Sequence, residues 1–123
     1  MKELKLGEIE TKFANIIWNN EPLPSRTLAE LAEAELAWKK STTYTILKRL
    51  CERGIFQNQN GTVTSRLSRT EFYALQSEKF VEETFEGSLP AFIAAFTTRK
   101  KLSDAEIDDL QKLIEGMRGQ EDA

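Results

Sequence analysis

Apolar residues recur along this chain at helical spacing, in stripes separated by short polar breaks. Leu6, Ile9, Phe13, Ile16 and Ile17 fall three and four apart, predicting a first helix from about Leu6 to Asn19 with Trp18 flanking its stripe. Gly7 can act as its N-cap, and Glu8 and Glu10 suit the positive end of a helix. Asn19-Asn20-Glu21-Pro22-Leu23-Pro24 reads as a turn, because two prolines cannot continue the helix. A second helix is predicted from its cap Ser25 to about Leu36, with Leu28, Leu31, Ala32 and Leu36 inward. A third is predicted from about Lys40 to Arg53. Thr43, Ile46, Leu47, Leu50 and Cys51 form its inward stripe, and Ser41, Thr42, Tyr44, Thr45, Lys48, Arg49 and Glu52 face outward. Gly54 ends it as a residue able to take positive φ.

The pattern then changes. Ile55 to Gln59 and Thr62 to Leu67 flank Asn60-Gly61, the pair that supplies the positive φ angles of a type I′ turn. A hairpin this polar is unstable alone and must lean on a helix. Two helices, a third helix with a hydroxyl-rich and basic outer face, and then a hairpin is the order of a winged helix-turn-helix. In that module the third helix enters the major groove of DNA.

Beyond Arg69 the composition turns acidic and helical. Ser68 or Thr70 can cap a helix carrying Phe72, Tyr73, Leu75, Phe80, Val81 and Phe85. Gly87 stops it, Ser88 caps the segment LPAFIAAF, and Thr97 to Lys101 is a polar link. Ser103 with Glu106 is a capping box for a last helix bearing Leu102, Ile107, Leu110, Leu113, Ile114 and Met117, after which residues 119–123 should fray. The expected fold class is mainly α with a small β-hairpin: a winged helix-turn-helix over residues 1–69 and a helical dimerisation arm over 70–123. Phe72, Phe80, Phe85, Leu89, Phe92, Ile93, Phe96, Leu110, Leu113 and Ile114 give that arm more apolar surface than three helices in one chain would bury. Such patches mark a partner, and a two-fold homodimer is the simplest one.

Composition narrows the function. The chain has 123 residues, no His and one Cys, Cys51, which removes disulfide frameworks, imidazole-based triads and nearly all zinc sites. Its carboxylates are scattered, so no acid–base pair is visible, and neither an enzyme, a cofactor nor a metal site is expected. The segment MKELKLGEIETKF has no long apolar run, so no signal peptide or membrane span is expected and a cytoplasmic location is the default.

The net charge of -3 hides a segregation. Between residues 38 and 69, Lys39, Lys40, Lys48, Arg49, Arg53, Arg66 and Arg69 face only Glu52. A local field of this kind, rather than the total charge, steers a phosphate backbone toward a site. Lys39 and Lys40 stand where the dipole of the third helix repels cations, a mismatch that a docked phosphate would resolve. Double-stranded DNA is therefore the expected partner. Thr42, Thr45 and Tyr44 are placed to touch base edges, and Lys39, Lys40, Ser41, Lys48, Arg49 and Arg66 to sit on phosphates. The alternative is a winged helix that uses the same face to bind an acidic protein.

Three segments resemble one known family in order. LGEIETKFANIIW is similar to the opening helix, with its closing Trp18, of the penicillinase-repressor and methicillin-resistance-repressor family of bacterial transcriptional regulators, which also includes copper-responsive repressors. STTYTILKRLCERGIF resembles that family's recognition-helix pattern, carried here by Thr42, Thr45, Leu47, Arg49, Leu50, Arg53 and Gly54. FEGSLPAFIAAF and KKLSDAEIDDLQKLIEGM resemble its dimerisation helices. The resemblance implies repression by a homodimer on a palindromic operator. In the β-lactam branch it also implies relief through cleavage of an Asn-Phe bond by a membrane sensor protease. The matching bond here is Ala95-Phe96, so Ala replaces the Asn. Lys39-Lys40 replaces the Ser-Pro the family often has at that place. The paired Cys-x-Cys motifs of the copper-responsive branch are missing, which excludes direct copper sensing.

Overall fold

Phe13, Ala14, Ile16, Ile17 and Trp18 bury one side of helix α1 (Glu8–Asn20) in the computed structural model of the chain, which describes residues 6–120. The helix starts where the expected cap sits, and the Gly7 main-chain N–H donates to Glu10 Oε1 across 3.0 Å. Leu6 is buried just ahead of it, but Ile9 is 46% exposed, so the inward stripe resumes only at Phe13.

The polar break after α1 is more than a turn. Leu23–Pro24 form a two-residue strand, β1, and helix α2 (Ser25–Leu36) follows at once. Ser25 is therefore the first helical residue rather than the cap. Its N–H donates instead to the Gly61 carbonyl of the hairpin, at 2.7 Å. Ala37, at φ 58°, closes α2, and Lys39 is the N-cap of α3 (Lys40–Glu52). Thr43, Leu47 and Leu50 are buried along α3, and Gly54, at φ 83°, turns the chain out of it as expected.

Strands β2 (Phe56–Gln59) and β3 (Thr62–Ser65) form the hairpin, with Asn60 at φ 53° and Gly61 at φ 85°. These are the two left-handed positions that a type I′ turn requires. β1 adds to the free edge of β3, pairing Leu23 with Val63 and Pro24 with Thr62, so the antiparallel order is β1-β3-β2. Phe56 and Val63 point from this sheet into the same core as Phe13, Ile17, Leu28 and Leu50.

Helix α4 (Arg69–Phe85) begins at a reciprocal cap: Ser68 N–H donates to Glu71 Oε1 at 2.9 Å, and Glu71 N–H to Ser68 Oγ at 3.1 Å. Phe72, on its first turn, corrects one expectation. It is only 1% exposed and lies 5.6 Å from the Trp18 ring, so it completes the winged-helix core and has no surface left for a partner.

The chain divides into two compact units, Met1–Phe80 and Val81–Ala123. The second holds the end of α4, then α5 (Leu89–Arg99) and α6 (Asp104–Met117). Ser88 caps α5 by accepting the Ala91 N–H, and Ser103 and Glu106 form the expected capping box of α6. No residue of α5 or α6 is fully buried. The expected fraying of residues 119–123 falls largely outside the described residues. Among the described residues no helix is long and apolar enough to cross a membrane.

Candidate nucleic-acid interface

Burial of Thr43, Leu47 and Leu50 at spacings of four and three fixes which side of α3 looks outward. Ser41, Thr42, Tyr44, Thr45, Lys48 and Arg49 are all exposed, as are Lys39 and Lys40 at its start. The corner before the helix is held by Trp38, whose ring packs 5.0 Å from that of Phe13 and whose main-chain N–H donates to the Ala32 carbonyl. No side chain caps the N-terminus of α3. Its first N–H groups thus open beside two lysines, an arrangement suited to an anion.

The seven cations that make residues 38–69 basic are not equivalent in space. Arg69 turns inward: its Nε donates to Asn15 Oδ1 at 2.9 Å, a terminal nitrogen donates to Asn19 Oδ1, and the guanidinium lies 5.7 Å above the Trp18 ring. The Arg53 side chain is only 16% exposed and lies 3.8 Å from Glu10 Oε2. Lys39, Lys40, Lys48 and Arg66 are left at the surface with Arg49, whose side chain is 54% exposed but also 3.8 Å from Glu10. A surface pair of that geometry contributes about 0–1 kcal/mol, so a phosphate can displace Glu10 from Arg49.

The wing is anchored at both ends. Arg66 N–H donates to the Ile55 carbonyl at 2.8 Å, and Gln57 Nε2 donates to Thr64 Oγ1 across the strands at 3.0 Å. On the opposite edge the Glu21 carboxylate receives both the N–H and the hydroxyl of Ser65. The sequence offered no signal for that contact, because Glu21 sits in a run that reads simply as a turn.

In the second unit the rings of Phe85, Phe92 and Phe96 pack edge-on or tilted in series, at 5.6 and 6.1 Å between neighbours. Phe92, Ile93 and Leu110 are half-buried, whereas Leu89, Phe96, Leu113 and Ile114 stay between 45% and 58% exposed. Phe80, in α4, is also half-exposed. Ala95 and Phe96 are both exposed within the body of α5.

The model of the penicillinase repressor family matches residues 6–116. The chain belongs to the penicillinase repressor family. Among its relatives, the methicillin resistance regulatory protein MecI of Staphylococcus aureus is 20% identical over 117 residues, covering 92% of this chain and 95% of that protein. The penicillinase repressor of Bacillus licheniformis is 22% identical over 120 residues, covering 94% of each chain. Six helices with a small antiparallel sheet, among the described residues, are the winged-helix fold of this repressor family. The family is one of transcriptional repressors rather than enzymes, so the chain is a transcription regulator.

Proposed function

We propose that this repressor binds double-stranded DNA as a homodimer and silences a promoter by occupying a palindromic operator. The observation that carries the reading is the outer face of α3. Hydroxyls and a phenol are grouped between surface cations, beside an uncapped helix start and an anchored wing. Thr42, Thr45 and Tyr44 read base edges, a threonine methyl suiting thymine and its hydroxyl either a donor or an acceptor. Lys39, Lys40, Ser41, Lys48, Arg49 and Arg66 hold phosphates and set the register.

Residues 1–69 are the DNA-binding part and residues 70–123 the dimerisation part, with the first turn of α4 packed into the former. The exposed faces of α5 and α6, with Leu89, Phe96, Leu113 and Ile114, are what a second copy covers, and Phe80, Phe85, Phe92, Ile93 and Leu110 border them. Two helices that bury no residue of their own gain most from such a partner. Relief of repression follows cleavage at Ala95-Phe96 by a membrane sensor protease. A cut there separates the apolar stripe of α5 from α6. The protein works in the cytoplasm.

Selection from a randomised duplex pool tests the DNA reading, and sedimentation of the same full chain tests the assembly. The expected outcome is a two-fold symmetric sequence bound by a dimer at micromolar protein. Phe96→Asp should sediment as a monomer that retards only half-sites weakly, since an unpaired carboxylate in an apolar interface is costly. A monomeric parent chain, or a pool that enriches no sequence, would overturn the reading.

A further inference from the structure

Strand β1 is cut short by its own sequence. Its pairing with β3 matches Leu23 to Val63 and Pro24 to Thr62, and the same register continued toward the N-terminus sets Glu21 opposite Ser65. No ladder forms there, because Pro22 has no N–H to donate and β1 begins only at Leu23. Ser65 would then be left with an unpaired main-chain N–H at the outer edge of β3.

The Glu21 side chain takes the place of the missing backbone acceptor. Its Oε1 receives the Ser65 N–H at 2.7 Å, and the Ser65 hydroxyl lies 2.8 Å from Oε1 and 2.9 Å from Oε2. Hydrogen bonds onto a carboxylate are about twice as strong as neutral ones, and these are part-buried. The next residue is Arg66, whose own N–H is held by the Ile55 carbonyl at 2.8 Å. Both peptide units that lead into Arg66 are therefore fixed, one from each side of the wing, while its side chain remains exposed.

We propose that Glu21 is a positioning residue of the DNA interface: its carboxylate latches Ser65 and so holds Arg66 at a phosphate. The proposal rests on the DNA reading above, but the latch itself can be observed without DNA. An acidic residue close to a polyanion should weaken binding by its charge. Its presence is explained if the acceptor oxygen, rather than the charge, is what the wing needs.

That distinction defines the experiment. The full chain and its Glu21→Ala, Glu21→Gln, Arg66→Ala and Glu21→Ala/Arg66→Ala variants are titrated with salt against a short random-sequence duplex. Arg66→Ala should lower the slope of log K against log salt by about 0.9, the value of one phosphate contact. Glu21→Ala should lower it equally and the double variant no further, because both remove the same contact. Glu21→Gln keeps an oxygen for the Ser65 N–H and should retain the parent slope. In the free protein, the Ser65 amide should exchange faster in Glu21→Ala and at the parent rate in Glu21→Gln. Additive losses in the double variant, an unchanged slope in Glu21→Ala, or unchanged Ser65 exchange in that variant would each overturn the latch. A parent chain with no salt-dependent DNA binding would overturn the DNA reading and the role of Arg66 together, and the exchange rates would still decide whether the carboxylate holds the strand.

Discussion

The indole Nε1–H of Trp18 donates to the Leu67 carbonyl across 3.0 Å, tying the end of α1 to the segment that leaves the wing. Around it the rings of Phe56, Phe72 and Tyr73 lie 5.3, 5.6 and 6.1 Å away, and Arg69 covers one face. One residue thus joins α1, the hairpin and the start of α4. Trp18→Phe keeps a ring but strands the Leu67 carbonyl, and a part-buried acceptor left unpaired costs about 1–3 kcal/mol. Urea unfolding should show a loss of that size. A variant as stable as the parent would mean that solvent satisfies Leu67 equally well.

Thr43 presents the opposite case. It is fully buried on the inward side of α3, and its hydroxyl has no hydrogen-bond partner among the described residues. Thr43→Val preserves the shape and removes a polar group whose burial costs about 1–3 kcal/mol. The urea midpoint should rise with an unchanged slope, and DNA affinity should not move, since Thr43 faces away from the proposed interface. A lowered midpoint would show that the hydroxyl is satisfied.

On the proposed interface, base reading and phosphate holding should separate along α3. Thr45→Ala should cost about 1–3 kcal/mol on the selected operator and little on random DNA. Lys40→Ala should weaken both alike and reduce the salt slope by about one unit. Retardation assays on both DNAs measure this, and equal losses for both variants on both DNAs would contradict the division of roles.

Acid should loosen two helix starts before it unfolds the core. The main-chain N–H of Ser68, and then its side chain, hold the Glu71 carboxyl below its ordinary pKa. Ser103 does the same for Glu106, with a smaller contribution from Lys100. A depressed carboxyl pKa stabilises the fold fully above the ordinary glutamate range, and that contribution is lost as pH falls through the lower folded value. Amide exchange at the first turns of α4 and α6 should therefore accelerate in that acidic window while Leu28 and Leu50 stay protected. Carboxyl titrations at the ordinary glutamate value would refute the cap assignment.

Local signals carried far in this chain. The spacing of Phe13, Ile16 and Ile17, of Leu28 and Ala32, and of Leu47 and Leu50 gave three helices, and Asn60-Gly61 gave the turn, because each depends on a few neighbouring residues. What depends on distant chain was illegible. Leu23–Pro24 reads as part of a turn because two residues carry no alternation, and only the edge of β3 makes them a strand. Phe72 shares a helical stripe with the later apolar residues of α4, and spacing alone cannot say that Trp18 covers it. A charge count assigns Arg69 to the basic face, whereas Asn15 and Asn19, some fifty residues earlier, draw it inward. The outward set on α3 was readable because it is the complement of a buried stripe. The Glu21–Ser65 contact had no periodicity to betray it.

The strap of β1 along β3, with Ser25 N–H on the Gly61 carbonyl, has a thermodynamic meaning for docking. A hairpin free to swing would surrender that freedom when it met the groove, and the lost entropy would subtract from affinity. Here the tip is already bonded to the first residue of α2, which restrains that swing. On the proposed DNA reading, part of the ordering that docking would require of the wing is therefore complete before any duplex arrives.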